Sequence, residues 1–232
     1  MTAVVLEARG LVKVHGSGRG ERRILDGARL TVSGGELVAI VGRSGSGKST
    51  LLQLLGGLDR PDAGEVTVAG RPVTGASERA LSALRRDEIG FVFQFFHLLP
   101  ELDGEANVLL PATLPGAARG GVARGRALIE RLGLRDVAGL RPHQLSGGEQ
   151  QRFALARALV GDPSLVLADE PIGNLDAAAG DVVLDLLRAI ADEGRAVVMV
   201  THQPEASARA DRVLELRDGQ LVEVPEGRLV ET

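Results

Sequence analysis

A short apolar run, LVAIV from Leu37 to Val41, leads directly into GRSGSGKS, from Gly42 to Ser49. An apolar helical pattern then runs from Lys48 towards Leu58. Few chain segments restrict the fold so strongly. Five consecutive aliphatic residues read as a strand buried on both faces, as in a parallel sheet. The glycines after it let backbone N–H groups turn inward around an anion. The N-terminus of the helix behind them adds a partial positive charge. The loop meets the pattern G-x-x-x-x-G-K-[ST] in full, with Gly42, Arg43, Ser44, Gly45, Ser46, Gly47, Lys48 and Ser49 cradling phosphates and Thr50 following. Lys48 is placed to reach the β- and γ-phosphates, and the Ser49 hydroxyl to ligate Mg²⁺. An α/β fold that binds a nucleoside triphosphate is the expectation.

Two more apolar runs end in the same way. Leu165 to Ala168 is followed by Asp169-Glu170, and Ala196 to Val200 by Thr201-His202. Open parallel sheets bind ligands at the carboxyl ends of their strands, so three such ends are expected to meet in one crevice. Asp169 is the expected metal ligand and Glu170 the expected general base for an attacking water. Around this core, shorter strands are expected at Val4 to Glu7, Leu11 to Val14, Arg29 to Val32 and Glu65 to Ala69. Ser77 to Arg86 reads as a helix. So does a segment with Val182, Val183, Leu186, Leu187 and Ile190 at helical spacing. The Gly/Ala/Arg-rich stretch from Pro115 to Gly125 reads as a mobile loop. A closing hairpin is expected at Asp218-Gly219.

Composition removes several alternatives. The net charge of -4 gives no basic footprint for nucleic acid. With no cysteine, thiolate metal sites and disulfides are excluded. No apolar run approaches a membrane span and the start lacks a signal-peptide pattern, so a cytoplasmic chain without direct membrane insertion is expected. Lysine occurs only at Lys13 and Lys48, against a background rich in arginine. A lysine kept inside the phosphate loop suggests that a compact ammonium is needed there.

A second string, LSGGEQQR from Leu145 to Arg152, narrows the class. Ser146 followed by Gly147 and Gly148 makes an N-cap with exposed N–H donors, and Glu149 completes a capping box. Taken with the phosphate loop, Gln94, Asp169-Glu170, Gly173-Asn174-Leu175-Asp176 and His202, this string resembles the signature motif of the ABC ATPase family. The resemblance covers essentially the whole chain. It implies a P-loop core of mainly parallel sheet, an N-terminal antiparallel β subdomain and an inserted helical subdomain. The expected division is 1–94 with 162–232 for the core and 95–161 for the helical part. It further implies that Gln94 senses the γ-phosphate and metal, that Asp176 communicates across a dimer, and that His202 contacts the γ-phosphate. Ser146, Gly147 and Gly148 would serve ATP held by another subunit, in a homodimer or with a paired ATPase subunit.

IGFVFQFFHLLP (Ile89 to Pro100), NVLLP and ADEPIGNLD look like the ATPases of macrolide-exporter and lipoprotein-releasing systems. The resemblance implies an integral membrane permease docked near Gln94 to His97, and a peripheral place on the inner face of the cell membrane. A non-transporting regulatory ATPase coupled to a cell-division-type membrane protein is the alternative. Phe91 and Phe93 are expected on one buried strand face, and Phe95 or Phe96 in the docking surface. Three departures stand out. His15 is the best match for the family's adenine-stacking aromatic, Ile172 replaces a common Thr, and Glu105-Ala106-Asn107 replaces a Glu-Asn pair.

Overall fold

The computed structural model describes residues 3–16, 20–117 and 119–225. Its centre is a six-stranded sheet of β3 (Leu37–Val41), β6 (Ile89–Phe93), β7 (Leu165–Asp169), β8 (Ala196–Val200), β9 (Arg212–Arg217) and β10 (Gln220–Glu223). The order is β10-β9-β3-β8-β7-β6, parallel except for the β9–β10 hairpin. A second sheet, antiparallel, joins β1 (Val4–His15), β2 (Arg22–Ser33), β4 (Ala63–Val68) and β5 (Arg71–Pro72) in the order β2-β1-β4-β5.

Strand parity divides the core in two. Val38 and Ile40 of β3, Leu165 and Leu167 of β7, and Val198 and Val200 of β8 face one cluster, shared with the antiparallel sheet and α1 (Lys48–Leu55). Leu37, Ala39, Val166, Ala168, Val197 and Met199 face the other, shared with α5 (Gly147–Leu159) and α6 (Ala177–Asp192). With every residue of β3 and β8 buried, the centre of the sheet has no solvent face. This is why its sequence shows unbroken apolar runs rather than alternation. A fully buried aliphatic side chain contributes about 1.5–3 kcal/mol, so these short strands are anchored well beyond their length.

Several expectations shift by local physics. The two predicted strands at Val4 and Leu11 are one strand, with a register shift between Ala8 and Leu11 where Gly10 takes φ 61. A bulge of this kind re-phases the alternation and imitates a break. The helix predicted towards Leu58 stops at Leu55, where Gly57 just beyond takes a left-handed φ of 64. Ser77 caps α2 (Glu78–Glu88) by accepting a hydrogen bond from Ala80 N. In α6 the buried face comprises Val183, Leu184, Leu187, Ile190 and Ala191, leaving Val182 44% exposed. Phe91 and Phe93 share a strand face, stacked with centroids 5.7 Å apart, but both are half-buried; Val92 between them is the buried residue.

The predicted loop at Pro115–Gly125 is corrected more strongly. Ala118 lies outside the described residues, but α4 (Gly121–Arg131) starts within the stretch. Added methyl groups at Gly121 and Gly125 would stand 2.9 Å from Ala112 Cβ and 2.5 Å from Leu109 Cδ2. Both positions belong to α3 (Gly104–Thr113). These glycines therefore allow two helices to approach closely. Close helix packing and a flexible loop leave the same composition.

The turn entering α3 hangs on one buried amide. The side-chain oxygen of Asn107 accepts from Leu99 N at 2.7 Å, while its NH₂ donates to the carbonyls of Leu99, Leu102 and Asp103. Asn107→Ala is expected to cost about 3 kcal/mol in urea unfolding, because a buried N–H loses its only side-chain acceptor. Glu101→Ala, exposed in the same turn, should stay within about 0.5 kcal/mol.

Candidate functional site

The carboxyl ends of β3, β7 and β8 converge as expected. After β3 the loop is built by three glycines with positive φ: Gly42 (149), Gly45 (72) and Gly47 (106). Gly47 also admits Ile24, whose Cγ2 would lie 2.3 Å from an added methyl. Arg43, Ser44 and Gly45 form an exposed lip, and Thr50 is half-buried just inside α1. Helices α2, α3, α5 and α6 each carry a side-chain cap. By contrast, α1 begins at Gly47 with no such cap and no acidic residue in its first turn. Its N–H donors are left available for an anion.

The ammonium of Lys48 is drawn back over this loop, donating to the carbonyls of Gly42 (2.8 Å) and Arg43 (3.2 Å). Burial lowers its pKa, while Glu170 and Asp169 pull it back up. Ser49 Oγ donates to Asp169 Oδ1 at 3.1 Å, tying the start of α1 to the end of β7. Burial raises the pKa of Asp169, the Ser49 hydrogen bond opposes this, and neighbouring Glu170 adds to the rise. Glu170 adopts φ 46 and donates its N–H to Val200 O, which turns its side chain off the sheet. One carboxylate oxygen lies 2.8 Å from His202 Nδ1; the other is buried without a partner. Ser46 Oγ is likewise buried and unpartnered. Buried polar atoms left over at one crevice fit a polar ligand and a water that complete them.

Gln94 follows β6 and is half-buried beside the turn after Glu170. Its Nε2 would lie 2.9 Å from a methyl on Gly173, and its carbonyl accepts from Asn174 Nδ2 at 2.9 Å. His15 is exposed at the end of β1, opposite Arg22. Arg22 donates to Gly45 O at 3.3 Å, so this strand end reaches the lip of the phosphate loop.

The second string is placed elsewhere. Ser146 Oγ accepts from Glu149 N, and the Glu149 carboxylate accepts from Ser146 N at 2.8 Å, completing the expected capping box. The Ser146 hydrogen bonds hold Glu149 below its ordinary pKa. Asp176 caps α6, accepting from Ala179 N at 2.8 Å. Ser146, Gly147, Gly148 and Asp176 line a cleft of about 370 Å³, and no residue of the phosphate loop lines it.

Two residues escaped the sequence reading. Gln151 is fully buried on α5 and donates to Pro171 O at 2.6 Å, next to Glu170. Arg157, also on α5, donates to the carbonyls of Phe96 and His97. The available signal was a polar side chain amid Phe153, Ala154, Leu155 and Ala156, where a purely packing helix needs none.

A glycine-built anion loop, a buried lysine and a carboxylate pair at parallel strand ends define a phosphate-loop nucleoside-triphosphate-binding protein. The family identity is narrower. The chain belongs to the ABC transporter family, whose description matches residues 25–173. It is 50% identical over 95% of its length to a macrolide export ATP-binding/permease protein, MacB 1/2, of Paracoccus denitrificans (strain Pd 1222), while spanning only 33% of that protein. It is 48% identical over 96% of its length to the lipoprotein-releasing system ATP-binding protein LolD of Ruegeria sp. (strain TM1040), and covers 100% of it. The fold matches the ATP-binding cassette MJ0796, solved as a dimer in a post-hydrolysis state with ADP and Pi. That match has a TM-score of 0.85 and 37% identity, covering 94% of this chain and 97% of that one. Among the described residues no helix is long and apolar enough to cross a membrane.

The raised pKa of Asp169 fixes a sign. A folded-state carboxyl pKa above the ordinary value gives stability below the ordinary pKa and loses it as pH rises through the raised one. Ionisation of the buried Asp169 as pH rises therefore destabilises the fold. Nucleotide-free Asp169→Asn should melt above the parent at about pH 8, with the difference closing as pH falls towards about 4. Melting curves of both proteins across that range test it.

Proposed function

We propose that this chain hydrolyses ATP as one of a pair of cassettes that drive a membrane permease of the export or lipoprotein-releasing kind. The observation that carries the reading is the separation of the Ser146–Gly148 cleft from the phosphate loop. A glycine-rich helix start whose cleft includes no residue of the chain's own phosphate loop is explained by a nucleotide held on a second copy. The names of the relatives, macrolide export and lipoprotein release, support the kind of permease. It would hold the chain at the inner face of the membrane, with Phe95, 68% exposed next to Gln94, in the docking surface.

In this reading the N–H groups from Gly42 to Ser49 receive the phosphates, and Lys48 moves from its carbonyl partners to the β- and γ-oxygens. Ser49, Asp169 and Gln94 would hold Mg²⁺, and this all-oxygen set of hydroxyl, carboxylate and amide suits a hard cation. When bound there, Mg²⁺ neutralises charge on the phosphate oxygens. The free oxygen of Glu170 aligns and polarises the attacking water. Its other oxygen is held by His202, whose ring also reaches the γ-phosphate. His15 meets the adenine. Asp176, at the cleft beside the signature, faces the partner copy. Closure of the pair does work because ATP binds the closed state better than the open one.

Mixing two inactive variants tests the shared sites. Lys48→Ala and Ser146→Arg should each lack ATPase activity, whereas their mixture should regain up to about a quarter of the parent rate, since a mixed pair holds one intact site. Failure to regain activity would overturn the paired reading. Glu170→Gln should lower turnover at least about a hundredfold and leave an ATP-bound dimer on size exclusion. A turnover equal to the parent's would remove Glu170 from its role.

A further inference from the structure

The segment after β6 is held in an unusual shape. Phe96 and His97 both have left-handed backbones, with φ 58 and 50. Neither is glycine, so consecutive left-handed residues persist only if their surroundings enforce them. Phe96 N donates to Phe93 O and the His97 ring packs on Phe93 at 4.8 Å, and α5 adds two further contacts. Arg157 donates through Nη1 to His97 O at 2.6 Å and through Nη2 to Phe96 O at 2.9 Å. Among the described residues Arg157 makes no ion pair, and burial pushes its pKa down. A charged fork has thus been partly desolvated for two backbone carbonyls, a costly use unless the fork geometry itself matters.

The other end of the same residue pair is also tied to α5. A methyl on Gly147 would stand 3.8 Å from Phe96 Cζ, so the Phe96 ring reaches the first turn of the helix. Phe96 is half-buried and so removed from the docking surface, leaving Phe95 as the exposed aromatic. The segment thus touches α5 at its first turn through the ring and ten residues along through the carbonyls. Ten residues of α-helix span about 15 Å. A strained segment gripped at two points of one helix follows that helix as a unit.

We propose that Arg157 is a positioning residue that couples the signature helix to the Gln94–His97 segment. Displacement of Ser146–Gly148 by nucleotide is carried along α5 and delivered through the guanidinium to the backbone beside Phe95. The inference rests on the paired-cassette reading above, and extends it by naming the link.

Hydrogen–deuterium exchange in the Glu170→Gln background separates the two. With Mg·ATP, exchange should slow both at residues 146–150 and at 95–98. Adding Arg157→Met should keep the response at 146–150 but cut that at 95–98 to less than about a third. Arg157→Lys, with a point donor in place of the fork, should fall between. A response at 95–98 as large in Arg157→Met as in its parent overturns the link. If the Met variant fails to fold, an undiminished response in Arg157→Lys overturns it equally. A response at neither place in the Glu170→Gln parent refutes the paired-cassette reading itself, and the link falls with it.

Discussion

Lys48 is the cation around which the rest of the site is arranged. Its ammonium is largely out of water, beside two carboxylates, and donates to the carbonyls of its own loop. That position exists only because β3 is buried on both faces and delivers the chain into a glycine loop at a fixed height. The same height places Ser49 against Asp169 on β7. β8, between these two strands in the sheet, provides Val200 O to hold the turn of Glu170 and then His202 to hold its carboxylate. A shift of one strand by one residue would turn its side chains towards the opposite core and displace the site residue at its end. Catalytic geometry and core packing are here the same constraint.

The sequence made the central sheet legible because burial on both faces leaves unbroken aliphatic runs, and polar residues at their ends are conspicuous against them. The edges were less legible. The bulge at Gly10 broke the alternation of a single long strand and read as two. The glycines at 121 and 125 read as flexibility when they serve helix contact, because both uses require the absence of a side chain and only the neighbours distinguish them. Of the five residues at helical spacing on α6, Val183, Leu187 and Ile190 are buried, while Val182 is exposed and Leu184 completes the face. At the site, residues belonging to contiguous motifs were readable. Gln151 and Arg157 were not, since their partners, Pro171 O and the carbonyls of Phe96 and His97, are backbone atoms distant in sequence. Side chain to backbone contacts leave no matching residue type to find.

Helix α5 explains how two parts of the molecule are made interdependent without a large shared surface. Its first turn lines the signature cleft, Gln151 holds the turn after Glu170, and Arg157 holds the segment after Gln94. The Gln151 and Arg157 contacts are hydrogen bonds to carbonyls, directional and short in range. Apolar packing alone would let the helix slide by small amounts with little penalty. A buried donor that loses its acceptor is penalised far more steeply. Rigid transmission thus follows from placing polar side chains on an otherwise apolar helix, the same feature that makes them look out of place in the sequence.

The balance of recognition also follows from the composition of the site. Base stacking on an aromatic ring is worth about 1–3 kcal/mol, and His15 offers a smaller, exposed ring for it. The triphosphate end offers uncapped N–H donors, an ammonium and a hydroxyl, and charge-assisted hydrogen bonds contribute about 1.5–3 kcal/mol each. Several such bonds outweigh one stacked base even when that base is well held. The absence of Tyr and Trp from the chain therefore weakens discrimination among bases more than it weakens nucleotide binding. Nothing in the arrangement of Lys48, Asp169 and Glu170 depends on which base is attached. In the proposed reading such a site recognises the triphosphate first, and the identity of the base only as a minor correction.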